Sequence, residues 1–209
     1  MDSFIFSPEI TNYNIDTPET LLSEDLSKRR ILVFNGMVDD NLLDDYVLHI
    51  LNWNAKDEEM NIPIESRTPI KLYINSPGGD CFAGMMLIDV ITTSKTPIIG
   101  IGFSLVGSMA YHIYLSCPVR YAFSNTIFCQ HEGDIEISNS TSKAKDIMAF
   151  FDEMNGRLKE HVLTHTKITE EEYDKRYEQE YYFYADSEGK NNGVVNYIIG
   201  KDCQLRDIL

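Results

Sequence analysis

Short apolar runs alternate with stretches of helical periodicity, and this alternation constrains the fold more than any other feature of the chain. Arg30-Ile-Leu-Val-Phe-Asn-Gly36, Ile70-Lys-Leu-Tyr-Ile74 and Ile98-Ile-Gly-Ile-Gly102 read as buried strands. Between them lie two helical patterns. One covers about 41–53, opened by Asp39 and Asp40 as N-cap, with a stripe of Leu43, Tyr46, Val47, Ile50 and Leu51. The other covers 81–91, with Ala83, Leu87, Val90 and Ile91 facing inward. A third helix is expected from Ser108 to about Leu115, then short strands over 119–122 and 126–129. Successive strands joined by helices need right-handed crossovers, so the class is α/β with a mostly parallel sheet of βαβ units.

The flanks are read less sharply. Residues 1–27 have no clean period and are expected to form an extended arm. Residues 54–69, polar with Pro63 and Pro69, read as a long surface loop. Asp134-Ile-Glu-Ile-Ser138 alternates polar and apolar residues, as a short exposed strand or ribbon would. A long helix follows over 142–165, with Ile147, Phe150, Phe151, Met154, Leu158 and Val162 on one face. It is too long for a compact single layer, so it is expected to project and meet a partner. Thr169-Glu-Glu-Glu172 is a capping box opening a short helix. Tyr181-Tyr-Phe-Tyr184 reads as core or interface, and residues 193–199 as a last turn and strand. One core is visible, giving an arm over 1–27, a single domain over 28–200 and a tail over 201–209.

Charge and cysteine content narrow the classes. Acidic residues number 33 against 18 basic ones, for a net charge of −15. Phosphate repels such a surface, which argues against nucleic-acid binding. The four cysteines, at 81, 117, 129 and 203, form no C-x-x-C pair, so neither a zinc knuckle nor a redox dithiol is signalled. No apolar run reaches the ~18 residues of a membrane span, and no secretory pattern is visible. A reducing cytoplasm is the expected compartment.

One constellation carries chemistry. Ser108 stands between small residues where a strand-like approach turns into a helix. A helix starting there aims free N–H groups at the site, where developing negative charge is stabilised. For an isolated serine an N-cap role is the commoner one. Two further features lift it above that: the Gly-rich turn Asn75-Ser-Pro-Gly-Gly79, and His131, just after the strand over 126–129. Acyl transfer needs a hydroxyl, an imidazole to take its proton and two N–H donors for the oxyanion. Ser108, His131, and the amides of Gly79 and Met109 are the candidates. His49 is expected on a helix surface, His112 on a packed helix beside the site, and His161 and His165 in solvent.

These motifs resemble those of the ClpP family of serine peptidases, the proteolytic subunits of the Clp protease. The likeness spans about 28–200. It rests on Leu72-Tyr-Ile-Asn-Ser-Pro-Gly-Gly79 with Ala83-Gly84, on Gly107-Ser-Met109, and on Arg120-Tyr-Ala-Phe-Ser-Asn-Thr-Ile-Phe-Cys-Gln-His131. The resemblance implies a spiral of βαβ units like that of ClpP and crotonase, with a projecting handle of ribbon and helix over about 132–165. It implies an endopeptidase without metal or cofactor, assembled in heptameric rings, two of them stacked, that degrades unfolded polypeptides delivered by an AAA+ unfoldase. The family's third triad residue is an aspartate; the corresponding position, counted back from Gly193, holds Tyr181, with Glu180 adjacent as the candidate substitute and Glu178 and Asp174 near. After the histidine the family has Gln-Pro and a glycine-rich stretch, where this chain has Glu132-Gly133 and an acidic segment.

Two other function classes are weighed beside a peptidase. A ring subunit with a decayed site, structural or regulatory, is motivated by Tyr181. A crotonase-type acyl-CoA enzyme shares the core and oxyanion hole, but the sequence has no CoA-binding signal.

Overall fold

The computed structural model describes residues 18–208; the arm expected before Pro18 lies outside the described residues. The first element, α1 (Pro18–Lys28), is a helix where an extended arm was expected. Proline suits the first turn, whose N–H groups lack partners anyway, and Glu24–Lys28 and Asp25–Arg29 pair along its surface.

Five strands then form one parallel ladder in the order β1-β2-β3-β4-β7: β1 (Ile31–Asn35), β2 (Ile70–Ser76), β3 (Ile98–Gly107), β4 (Val119–Phe123) and β7 (Tyr197–Ile199). The crossovers are α2 (Leu48–Glu59), α3 (Cys81–Thr93) and α4 (Met109–Ser116). A π turn at Leu43–Val47 leads into α2, which runs six residues past the expected end and shortens the loop to about 60–69. The reason is a second inward face. Trp53 and Asp57 are buried, while Leu43 and Leu51 of the expected stripe are exposed. Asp57 is drawn inward by a bidentate pair with Arg30, at 2.7 and 2.5 Å, and by the Thr96 hydroxyl at 2.8 Å.

β3 is twice its expected length because it changes partner midway. Ile99–Gly102 pairs with β4; Leu105–Gly107 pairs with β5 (Ile127–Gln130). The switch falls at Ser104, whose φ is +47°, and Asn75 Oδ1 accepts the Leu105 N–H at 3.2 Å across it. Beyond the switch β5 pairs antiparallel with β6 (Tyr181–Tyr184). The two halves of β3 thus carry two branches of one seven-stranded sheet, and Ser108 follows directly on the carboxyl end of β3, where α/β folds place sites.

The long helix α5 (Thr141–His165) buries Met154 and Val162 against this core, while Phe150 near its start stays exposed beside Phe82. The short helix α6 (Glu170–Tyr177) opens on the expected capping box between Thr169 and Glu172. The expected ribbon over 134–138 is not a strand; residues 131–138 carry no regular structure. Alternation alone cannot make a strand, and no described segment pairs with this one. The C-terminal tail is anchored: Ile208 is buried against Ile101 and Ile199. No described helix is long and apolar enough to cross a membrane.

Candidate active site

Ser108 is the single residue between the end of β3 and the start of α4. Its φ of +51° and ψ of −126° lie outside the regions a side chain prefers, the backbone of a sharp strand-to-helix elbow. Two bonds hold it there: Ser108 N–H donates to Cys129 O at 2.9 Å, and Tyr111 N–H donates to Ser108 O at 3.0 Å. Gly78 packs directly behind. A Cβ at that position would stand 2.5 Å from Ser108 Cβ and 2.8 Å from Gly107 O. Only glycine allows this approach, and its φ of +105° demands glycine again.

The Ser-Pro-Gly-Gly turn is locked from both sides. Ser76 Oγ accepts the Gly78 N–H at 3.1 Å. Val38 N–H donates to Gly78 O at 2.9 Å, and Asp80 N–H donates to Val38 O at 2.8 Å. In such a bridge the residue between turns its own amide toward the opposite edge. That residue is Gly79, and its N–H has no acceptor among the described residues; neither has the N–H of Met109 at the start of α4. Asp80 caps α3 by accepting the Ala83 N–H at 2.8 Å.

His131 follows β5 immediately, and it lines one cavity together with Ser108 and Met109. No hydrogen bond joins Ser108 and His131. The imidazole Nδ1 stands 3.5 Å from Glu180 Oε1. The ladder register produces this contact. Gln130 opposes Tyr181, so one step further His131 faces residue 180 from the same side of the ribbon. The other Glu180 oxygen takes two long contacts, from Cys129 Sγ at 3.5 Å and Tyr182 Oη at 3.4 Å. Glu180 is 63% exposed at its side chain and His131 24%. Tyr181 points elsewhere: its hydroxyl donates to Glu188 at 2.6 Å, and the Arg176 guanidinium lies 4.4 Å from its ring centre.

The structure therefore brings Ser108, Met109 and His131 to one cavity, with the Ser-Pro-Gly-Gly turn against the serine and Glu180 against the imidazole. Sequence reasoning passed over three groups here. Gly78 lies against the serine, whereas Gly79 lies against Val38. Tyr111 and Gln130 line the cavity wall, and the polar residue Gln130 inside an apolar strand run was the available signal. The cysteines nearby are not competing nucleophiles, since burial holds the Cys129 thiol up to about 11 and raises that of Cys81 as well. His161, expected in solvent, is packed on α4, with Nε2 3.1 Å from His112 O and 3.3 Å from Ser116 Oγ. Burial pushes it down to about 4 and His112 to about 3, so both are neutral at physiological pH.

Fold and site together define an α/β protein that presents a serine on a left-handed elbow at the carboxyl ends of a parallel sheet. The chain belongs to the Clp protease family, whose model matches residues 17–202. It is similar to the ATP-dependent Clp protease proteolytic subunit 2 of Rhodococcus jostii, with 26% identity over 184 residues, 87% of this chain and 89% of that protein. It is equally similar to the protein of the same name from Corynebacterium efficiens, 26% identical over 191 residues, 90% of this chain and 89% of that one.

Proposed function

We propose that this chain is a serine endopeptidase of the Clp type. The observation that carries the proposal is the strained elbow at Ser108, set beside two unused amide donors with His131 lining the same cavity. In this reading Ser108 Oγ attacks the peptide carbonyl and passes its proton to His131 Nε2. The amides of Gly79 and Met109 receive the oxyanion. Glu180 orients Nδ1 in place of the family's aspartate and stabilises the imidazolium that forms. His131 then donates its proton to the leaving amine, and water releases the acyl group by the same steps in reverse roles.

The substrates are unfolded polypeptides entering a ring-shaped chamber, with an AAA+ unfoldase as the feeding partner and no metal or nucleotide used by the peptidase itself. The exposed Phe82 and Phe150, packed with the half-buried Phe151, support self-assembly, because such a patch is costly on a free monomer. The proposed compartment is the cytoplasm.

The test is acylation of Ser108 by a fluorophosphonate probe, with peptide hydrolysis that Ser108→Ala abolishes. One observation favours a second reading, a ring subunit with an impaired site: Ser108 and His131 share no hydrogen bond. Such bonds often tighten only when substrate binds. Equal background hydrolysis by wild type and Ser108→Ala in the assembled protein would decide for the impaired subunit.

A further inference from the structure

The ribbon of β5 and β6 has two faces, and they do different things. Phe128 and Phe183, directly opposite each other, stack at 5.5 Å inside the core. The next pair, Cys129 and Tyr182, points the other way, as alternation along a strand requires. Further along that same face come His131 and Glu180, whose side chains meet at 3.5 Å. A thiol, a phenol, an imidazole and a carboxylate therefore share one patch. The neighbouring position on β3 is Gly107, whose lack of a side chain leaves room for Cys129; a Cβ there would stand 3.3 Å from Cys129 Cβ. The contacts converge on Glu180 and divide between its oxygens. Oε1 faces His131 Nδ1. Oε2 accepts from Tyr182 Oη at 3.4 Å and from Cys129 Sγ at 3.5 Å.

A carboxylate accepts hydrogen bonds and donates none, so the phenol and the thiol are the donors. Both keep their protons at neutral pH: burial holds the Cys129 thiol up to about 11, and a hydrogen bond with Cys129 raises the Tyr182 phenol above its ordinary value. Glu180 needs such a hold. Its side chain is largely exposed, and a glutamate has one more rotatable bond than an aspartate, so left alone it spreads over many rotamers, few of which face Nδ1. We infer that Tyr182 is a positioning residue: with the Cys129 thiol it fixes the Glu180 carboxylate by one oxygen, which keeps the other on His131 Nδ1. The inference rests on the proposed roles of Ser108 and Glu180. The phenol carries more of the effect than the thiol, since S–H is a weak donor. Tyr182 is itself 58% exposed, so deleting its hydroxyl leaves the core packing untouched.

A double-mutant cycle on the assembled protein tests this. kcat and KM for one fluorogenic peptide are measured per Ser108 site titrated with a small fluorophosphonate, so protein that fails to fold is not counted. Tyr182→Phe is expected to lower kcat about threefold to tenfold with KM unchanged, the scale of one hydrogen bond. In a Glu180→Ala background the same substitution is expected to change kcat by less than about twofold, because nothing is left for the phenol to hold. Cys129→Ala is expected to give a smaller loss that likewise disappears with Glu180, and Cys129→Ser, which keeps a donor, to retain more activity than Cys129→Ala. An equal loss in both backgrounds, no loss in the wild-type background, or a loss confined to KM overturns the inference; the last would make Tyr182 a substrate contact. If Ser108 labels and Glu180→Ala alone leaves kcat unchanged, the orienting role of Glu180 fails and this inference with it, while the peptidase stands. Failure of Ser108 to label overturns the peptidase reading itself.

Discussion

Replacing Glu180 by glutamine removes the negative charge that faces His131 Nδ1 and keeps the shape and an acceptor oxygen. The size of the effect follows from the placement. A buried triad aspartate that loses its charge costs about 10⁴ in kcat. Glu180 is not so placed: it stands 3.5 Å from the imidazole, longer than a strong hydrogen bond, and is 63% exposed. At that separation the attraction to an imidazolium is about 1 kcal/mol with the dielectric of water and about 2 kcal/mol at half that value. Since about 1.4 kcal/mol is tenfold in rate, Glu180→Gln is expected to slow acylation roughly fivefold to thirtyfold. The assay is kcat/KM on a fluorogenic peptide, run beside the second-order rate of fluorophosphonate labelling at Ser108. A fall beyond about 1,000-fold would mean that Glu180 is drawn in and desolvated on binding, so the dielectric argument fails. A change under twofold would mean that another group, or none, orients His131.

Gly78→Ala is expected to cut acylation by at least about 100-fold, because its methyl would stand 2.5 Å from Ser108 Cβ and displace the elbow. The same variant is expected to lose about 1–3 kcal/mol of stability from its positive φ, read by urea titration beside labelling kinetics. Tyr181→Phe removes the bond to Glu188 and leaves the imidazole contact intact, so hydrolysis should stay within about twofold of wild type while stability falls by about 1 kcal/mol; a large kinetic loss would reinstate Tyr181 as the orienting residue. Asp57→Asn is expected to cost about 3 kcal/mol at pH 7, because it leaves Arg30 and Thr96 without their buried carboxylate. The Arg30 hydrogen bond holds the Asp57 carboxyl below its ordinary value, so its contribution is fully present above the unfolded pKa of about 3.9 and is lost as pH falls through the depressed folded value. The gap between wild type and Asp57→Asn in denaturant midpoint should therefore close below about pH 4; a gap that holds in acid contradicts this.

What the sequence exposes and what it hides divide along a physical line. Strands β1 and β2, the Ser-Pro-Gly-Gly turn and the capping box at Thr169 are local: each is set by residues within a few positions, so patterning finds them. The hidden features depend on distant partners. The six extra residues of α2 exist because Asp57 reaches Arg30 and Thr96. The length of β3 depends on Asn75 bridging its kink. Counting along the chain places Tyr181 at the third triad position, yet the antiparallel register of β5 with β6 sets Glu180 opposite His131 instead. A one-residue offset in a strand reverses which side chain faces the site, and sequence spacing carries no information about it.

The same register explains how the site is held and where it can still move. Ser108 is tied to β5 by its own N–H on Cys129 O; His131 directly follows β5, and Glu180 directly precedes its partner strand β6. A shift of that ribbon therefore moves nucleophile, imidazole and carboxylate together and leaves their spacing unchanged. The freedom that remains lies after Gln130. From His131 to Ser138 the chain has no regular structure, and residues 132–136 are exposed. Closing the Ser108–His131 contact thus needs a turn of the His131 side chain or a rearrangement of that segment, not a repacking of the sheet. Rotamer changes of this kind cost on the order of 1 kcal/mol, well within what a bound peptide strand supplies by adding backbone hydrogen bonds. The elbow and its amides, by contrast, are fixed by Gly78, Val38 and Tyr111, so in the proposed mechanism the oxyanion half of the site is preorganised and the proton-transfer half is the part that substrate completes.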